Sequence, residues 1–292
     1  MILVTGANGN LGSATLAALR DRGVVATGGS RTPEEGMRRL DFDDRVSLDL
    51  AGVSTLVLIS AGYAEDDQVI GRHAAALDTA VRDGVRHVVY TSLTGAGDHL
   101  GFALAHRATE RLVRASGLPW TILRNGLYAE LFGGLLTWSD EGMESAFGDG
   151  ALAAVAREDL ADAAANVAAN PARHRERVYD LVGTPITAVQ VADRLGVPHH
   201  TISVGEYRRR LLDETPGLLP FQPPMLASIA TGIRHGFLDG TSPDLAELLG
   251  RPAHSPLTTA VAVASAASRF SPATEPPGDG SSRSCRRPTP QP

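Results

Sequence analysis

The opening of the chain, Ile2-Leu3-Val4-Thr5-Gly6-Ala7-Asn8-Gly9-Asn10-Leu11-Gly12, constrains its fold more than any other segment. An apolar strand runs into Gly6, Gly9 and Gly12. A helical pattern follows, with Leu11, Leu16 and Leu19 on one side and Gly23 as its stop. The free N–H groups and positive dipole end of such a helix face an anion. Glycine suits the turn because a Cβ would keep the backbone from approaching a pyrophosphate. A glycine triplet alone is weak evidence, but this one lies between a strand and a helix, which is the context of a dinucleotide site.

Further strands are expected at Val24–Thr27, Thr55–Ser60, His87–Thr91 and Trp120–Leu123, with helices at Leu11–Arg22, Asp66–Arg82 and Phe102–Ala115. Leu56 to Ile59 is apolar throughout, as in a strand covered on both faces. Alternating strands and helices of this kind give an α/β fold with a doubly wound parallel sheet, its ligand edge at the strand C-termini. Residues 36–52 are short and charged and predict a cramped connection. Residues 125–150 hold six glycines and few strand signals. Beyond them a helix is expected at Glu158–Ala169, a strand at Arg177–Val182, a helix at Ala188–Leu195, a strand at Thr201–Val204, and helices at Glu206–Leu212, Met225–His235 and Pro243–Leu249. This divides a single domain, 1–261, into a nucleotide lobe (1–124 and 151–183) and a smaller α/β substrate lobe (125–150 and 184–261). A Pro/Ser/Arg-rich tail, 262–292, is expected to be disordered.

The 292 residues carry a net charge of −6, and the tail sets four arginines against Glu275 and Asp279, so the acidic excess lies in the body. An acidic body argues against nucleic-acid binding. The single cysteine, Cys285, allows no internal disulfide and suits a reducing cytoplasm. No secretory leader is expected before the first strand, and no apolar run is long enough to span a bilayer. No set of His, Cys and carboxylates has metal-ligand spacing. His199 and His200, adjacent on a strand, point to opposite faces. Arg208-Arg209-Arg210 reads as a solvated helix face.

The second strand ends in Gly28-Gly29-Ser30-Arg31-Thr32. An acid at this tip would bind a ribose 2′-OH, whereas Arg31 suits a 2′-phosphate, so NADPH is expected over NADH. Many dehydrogenases of this fold pair a Tyr with a Lys four residues later to pass a proton. All 27 basic residues here are arginine, and the corresponding helix reads His106-Arg107-Ala108-Thr109-Glu110. Any hydride chemistry must therefore need little acid catalysis. Quinone reduction meets that condition, because the hydroquinone anion is stable and water can protonate it.

The glycine loop, Leu56-Val57-Leu58-Ile59-Ser60, Tyr90-Thr91-Ser92-Leu93, His106 to Glu110, and Thr121-Ile122-Leu123-Arg124-Asn125-Gly126-Leu127-Tyr128-Ala129-Glu130 together resemble one family. It is the NmrA-like branch of the atypical short-chain dehydrogenase/reductases, and within it the bacterial NADPH-dependent type 2 quinone oxidoreductases. The resemblance covers about residues 1 to 261 and implies a Rossmann-like fold. It implies that Gly6, Asn8, Gly9, Asn10, Leu11 and Gly12 hold the diphosphate and Arg31 the 2′-phosphate. Asp41 and Phe42 would lie beside adenine, and Ser60 and Ala61 beside the ribose and nicotinamide. Ser92 and Leu93 would line the cofactor cleft, and Asn125, Gly126, Leu127 and Tyr128 would border a quinone pocket. Two departures are the short region between Arg31 and Leu56 and the tail after Ala262. Tyr128 and His106 are the catalytic candidates. Tyr128 could stack on a quinone or be a core aromatic, and His106 could relay a proton or pack against a neighbour. Glu110 is expected to pair with Arg114, and Arg124 to orient the Asn125–Tyr128 loop. A small-molecule quinone-like substrate and a homodimer are the expected partners. The alternative is a non-catalytic NAD(P) sensor that binds a protein partner.

Overall fold

Alternation of apolar residues along each central strand sends them into two different cores. Leu3, Leu56, Leu58, Val88, Tyr90 and Ile122 pack in one hydrophobic cluster, while Ile2, Val4, Val57, Val89 and Leu123 pack in another. A strand buried on both faces needs a helix layer on each side. The computed structural model describes residues 1–61, 64–213 and 215–268. Its elements run β1 (Ile2–Thr5), α1 (Asn10–Asp21), β2 (Ala26–Ser30), β3 (Arg38–Arg39), β4 (Thr55–Leu58), α2 (Asp66–Arg82), β5 (His87–Leu93), α3 (Ala103–Ala115) and β6 (Trp120–Asn125). They continue as α4 (Ala129–Gly134), β7 (Thr137–Ser139), β8 (Gly142–Ser145), β9 (Ala151–Ala153), α5 (Arg157–Ala169), β10 (Arg177–Leu181) and β11 (Pro185–Thr187). The last are α6 (Ala188–Leu195), β12 (His199–Thr201), α7 (Val204–Asp213), α8 (Gln222–Arg234), α9 (Asp244–Leu249) and α10 (Pro256–Ser268).

Seven parallel strands form the main sheet in the order β10-β6-β5-β4-β1-β2-β3. The doubly wound parallel sheet expected from the sequence is therefore present. Between β2 and β4 the chain makes only the two-residue β3 and one 3-10 turn, the cramped connection expected there. A third core gathers Leu127, Phe132, Met143, Phe147, Ile186, Val191 and Ile229 around a three-stranded sheet, β12-β8-β7, and the pair β11-β9.

Several boundaries differ from the sequence reading. The strand expected at Thr201–Val204 lies at His199–Thr201, because Val204 already begins α7. Residues 125–150 contain α4, β7 and β8 despite their glycines. β9, given to the nucleotide lobe, pairs with β11 of the second lobe. α9, given to the substrate lobe, buries Leu245 against α5 instead. There the Asp180 N–H donates to Asp244 (2.7 Å) and Asn166 to the Leu248 carbonyl (2.9 Å). The tail expected from residue 262 starts inside α10, which runs to Ser268 because Ala260 and Ala264 are buried in the third core. The rest of that tail, 269–292 with Cys285, lies outside the described residues.

Candidate functional site

The chain lays down β1, β2 and β3 in one direction, then returns to place β4 beside β1 and builds outward through β5, β6 and β10. The crevice at the carboxyl ends of β1 and β4 is the topological switch point, where open α/β sheets bind ligands. The Thr5 hydroxyl spans it, accepting the Ile59 N–H at 2.9 Å. Gly6 follows at φ +60°, a left-handed conformation that costs an L side chain energy. The Ala7 N–H donates to the Gly29 carbonyl (3.1 Å) and the Gly9 N–H to the Gly6 carbonyl (2.9 Å). α1 begins at Asn10 with no side-chain cap, so its first-turn N–H groups stay open to an anion. Gly12 is glycine for a different reason from the one its spacing suggests. A Cβ there would overlap the Gly6 carbonyl, so it lets the helix pack on the turn. Asn8 turns sideways and donates to the Thr32 carbonyl at 2.8 Å, tying the glycine loop to the end of β2.

Arg31 stands exposed at that end, with no hydrogen bond or ion pair among the described residues. The neighbouring loop is acidic. Asp41 accepts the Asp43 N–H (3.1 Å), Asp43 takes two hydrogen bonds from Arg72 (2.7 Å each), and Asp44 pairs with Arg39 (3.5 Å). Phe42 is half-buried in a narrow crevice with Leu40, Leu48 and Leu56, below Thr5 at the end of β1.

At the end of β4 the Ser60 N–H donates to Thr91 (3.0 Å) and the Ala61 N–H donates to His73 Nε2 (2.9 Å). An Nε2 that accepts leaves the proton on Nδ1, which donates to Thr109 Oγ1 (2.8 Å), and that hydroxyl donates in turn to the Ala105 carbonyl (2.8 Å). Burial pushes the His73 pKa down to about 3, so the ring is neutral. Nothing in the sequence singles this residue out. Among the described residues five buried polar side-chain atoms have no partner: Thr137 Oγ1 and Trp138 Nε1 on β7, and a separate group of three, Ser60 Oγ, Thr94 Oγ1 and Asn125 Oδ1. These three lie at or just past the ends of β4, β5 and β6, three adjacent strands. Buried polar atoms are ordinarily satisfied, so this row fits a polar ligand.

Ser92 and Leu93 do not line an open cleft with their side chains. Both are buried; the Ser92 hydroxyl donates to Glu110 (2.7 Å), and Leu93 packs in the third core. Glu110 is itself buried, and its principal partner is not Arg114, which reaches it only at 4.0 Å. Arg124 grips it with two hydrogen bonds (2.9 and 2.7 Å), and Arg107 donates at 2.8 Å and also reaches the Leu93 and Thr94 carbonyls. Burial alone would raise the Glu110 pKa, but the hydrogen bonds from Arg124 and Ser92 hold it below the ordinary carboxylate value. This network braces the segments that follow β5 and β6. His106 accepts from or donates to the Tyr90 hydroxyl (3.1 Å). Burial lowers its pKa to about 4 and raises that of the phenol, so the two form a neutral pair.

The Asn125–Tyr128 segment is pinned from both sides. The Gly126 N–H donates to the Leu181 carbonyl (2.8 Å) and the Val155 N–H to the Leu127 carbonyl (3.1 Å). Leu127 is buried, while Tyr128 is half-buried at the start of α4 with the Arg157 guanidinium 5.0 Å from its ring centre. Among the described residues no group of three or more His, Cys, Asp or Glu is placed to hold a metal, and no helix is long and apolar enough to cross a membrane. His199 and His200 go to different partners, Ser145 Oγ (2.9 Å) and the Glu141 carbonyl (3.1 Å).

An open helix N-terminus behind a glycine turn, at the switch point of a parallel sheet and beside a row of unpartnered polar atoms, defines a dinucleotide-binding protein. The chain belongs to the NAD(P)H-binding, NmrA-like family, whose NAD(P)H-binding pattern matches residues 6–171. It is 32% identical over 280 residues to quinone oxidoreductase 2 of Escherichia coli, covering 86% of this chain and 94% of that protein. The crystal structure of a Citrobacter triphenylmethane reductase with NADP(H) superposes with a TM-score of 0.80 at 30% identity, over 90% of this chain and all of the other. That of the Escherichia coli NADPH-dependent quinone oxidoreductase with NADPH gives 0.77 at 30% identity, over 90% and 99%.

Proposed function

We propose that this protein is an NADPH-dependent oxidoreductase that delivers hydride to a quinone or a similarly flat, conjugated electrophile. The observation that carries this reading is the unpartnered Arg31 guanidinium beside the open start of α1, in a chain without lysine. A guanidinium presents a planar fork to phosphate oxygens, which suits the 2′-phosphate that distinguishes NADPH from NADH. The first-turn amides from Asn10 to Gly12 take the diphosphate, and Asp41 and Phe42, on the loop after β3, lie beside adenine. Ser60, Thr94 and Asn125 present their unpartnered oxygens to the nicotinamide end. Bound there, the coenzyme supplies the hydride.

The chain's own residues hold the geometry. The Glu110 network fixes the segments after β5 and β6, and His73 fixes Ala61 through its backbone N–H. Asn125, Gly126, Leu127 and Tyr128 border the acceptor pocket, with the Arg157 guanidinium over one face of the Tyr128 ring. His73 and His106 are both neutral near pH 7, so neither supplies a charged imidazolium to the site. A quinone needs no such acid. It accepts hydride to become a hydroquinone anion, and water provides the second proton. The 30–32% identity to reductases across nearly the whole chain supports an enzyme over a non-catalytic sensor. The acidic charge balance supports a small-molecule partner over nucleic acid, and the single thiol supports a cytoplasmic setting. A homodimer is the expected assembly.

Stopped-flow NADPH oxidation against a panel of quinones, with NADH as control, tests this reading. Quinone-dependent oxidation that favours NADPH by about tenfold or more is the expected result. Tight uptake of oxidised and reduced coenzyme alike, with no turnover of any quinone, would overturn it in favour of the sensor.

A further inference from the structure

We infer that Arg72, on α2, is a positioning residue for coenzyme choice: by holding the Asp43 carboxylate it keeps Arg31 free to take a 2′-phosphate. This rests on the NADPH reading above and extends it to a residue that does not itself meet the phosphate. Three carboxylates, Asp41, Asp43 and Asp44, lie on the loop that follows β3, the strand paired with the end of β2 that carries Arg31. Left to itself, a loop of this charge beside a lone guanidinium would pair with it and repel a phosphate dianion. Asp43 and Asp44 instead each face an arginine, and Asp41 is held by a backbone N–H of its own loop. Asp44 caps the following 3-10 turn, accepting the Val46 N–H at 3.2 Å, and faces Arg39 at 3.5 Å. Asp41 accepts the Asp43 N–H at 3.1 Å. Asp43 is the acid with a two-pronged grip, from Arg72 Nε and a terminal nitrogen at 2.7 Å each. A parallel fork of this kind fixes the carboxylate in direction as well as charge.

The Arg31 charge also bears on Asp43. The Arg72 hydrogen bonds hold its carboxyl below the ordinary value, and the Arg31 charge acts in the same direction. The Arg31 charge bears on this carboxylate, but both of its side-chain hydrogen bonds go to Arg72. Arg72 has only 18% of its side chain exposed, whereas Asp43 remains 54% exposed and is free to turn if released. Arg72 lies 41 positions from Arg31 in sequence, and no spacing rule would have connected them.

The test uses full-length protein and titration calorimetry with adenosine 2′,5′-bisphosphate, which carries the 2′-phosphate, and 5′-AMP, which lacks it. Arg72→Gln is expected to weaken the bisphosphate about fivefold while leaving 5′-AMP within about twofold. Adding Asp43→Asn to that variant is expected to restore the bisphosphate to within about twofold of wild type, and Asp43→Asn alone to bind it at least as well as wild type. Equal weakening of both ligands in Arg72→Gln, no weakening at all, or failure of Asp43→Asn to rescue would each overturn the inference. Wild-type protein that distinguishes the two ligands while Arg72→Gln behaves identically would overturn this inference alone. Wild-type protein that takes up neither ligand would remove the NADPH reading and this inference together.

Discussion

In the nucleotide half, β1, β4 and β5 are each followed by a helix that packs back on the sheet, so strand and helix signals recur in order along the chain. In the second half, β12 pairs with β8 across 54 or more residues, β11 pairs with β9, and α10 closes against α4. The first half is built by repetition and the second by closure. Repetition leaves the strand ends on one edge and free to carry a ligand. Closure uses glycines and small residues to bring backbones together, as where Gly133 on α4 faces the Ala260 carbonyl on α10. Polar contacts follow the same division: in the first half an inward-facing acid such as Glu110 braces loops around a site, and in the second a capping box of Thr187 and Gln190 starts α6.

The largest expected effect tests whether the first half depends on its buried acid. Glu110→Ala leaves Arg107 and Arg124 without their common partner. It should cost on the order of 3–5 kcal/mol in urea unfolding, with coenzyme binding falling as the segments after β5 and β6 loosen. A loss within experimental error would mean that the site edge does not need this network.

Two glycines then separate the halves. Gly12→Ala drives a Cβ into the Gly6 carbonyl, and Gly133→Ala drives one to 2.5 Å from the Ala260 carbonyl. Each should cost about 1–3 kcal/mol. Gly12→Ala should abolish coenzyme uptake in calorimetry, whereas Gly133→Ala should leave it intact and raise the KM for the quinone. If both variants lost coenzyme alike, the halves would not be separable.

Arg31→Ala sharpens the comparison within the first half. It should weaken NADPH about tenfold, roughly 1.4 kcal/mol, and leave NADH within about twofold, read as the two dissociation constants. Equal loss of both coenzymes would assign Arg31 to the fold.

The smallest effect is on pH. His73 has a native pKa of about 3, below its unfolded value near 6.5. Between these values the unfolded chain binds more protons, so stability is complete above pH 6.5 and is lost progressively as pH falls toward 3. His87 and His106, each lowered by burial to about 4, act in the same direction. His73→Gln should make the fall between pH 7 and 5.5 shallower by on the order of 1 kcal/mol in urea unfolding. An unchanged slope would show that His73 is not the group that titrates.

Much of the first half was legible because its signals are local. Gly6, Gly9 and Asn10 are recognisable from the turn they form, and Arg31 from its position at the end of the second strand. Ser60 and Asn125 were legible as strand ends. The arrest of Ser92 by Glu110 was not, since it depends on two arginines converging from α3 and β6. His73 and Arg72 left no trace in the sequence, because their partners, Ala61 and Asp43, are reached only when α2 packs beside the sheet. In the second half, β7, β8, β9 and β11 are three or four residues long, too short to establish a period against their glycines.

By itself the sequence determined the parallel sheet, the glycine turn with its open helix start, and the absence of any Tyr–Lys acid, since each follows from residues close in the chain or from composition. Tertiary structure alone decided which acid meets which arginine, which strand ends keep unpartnered oxygens, and where the two halves divide. Those outcomes depend on distances between residues tens of positions apart, which become defined only once the helices are packed.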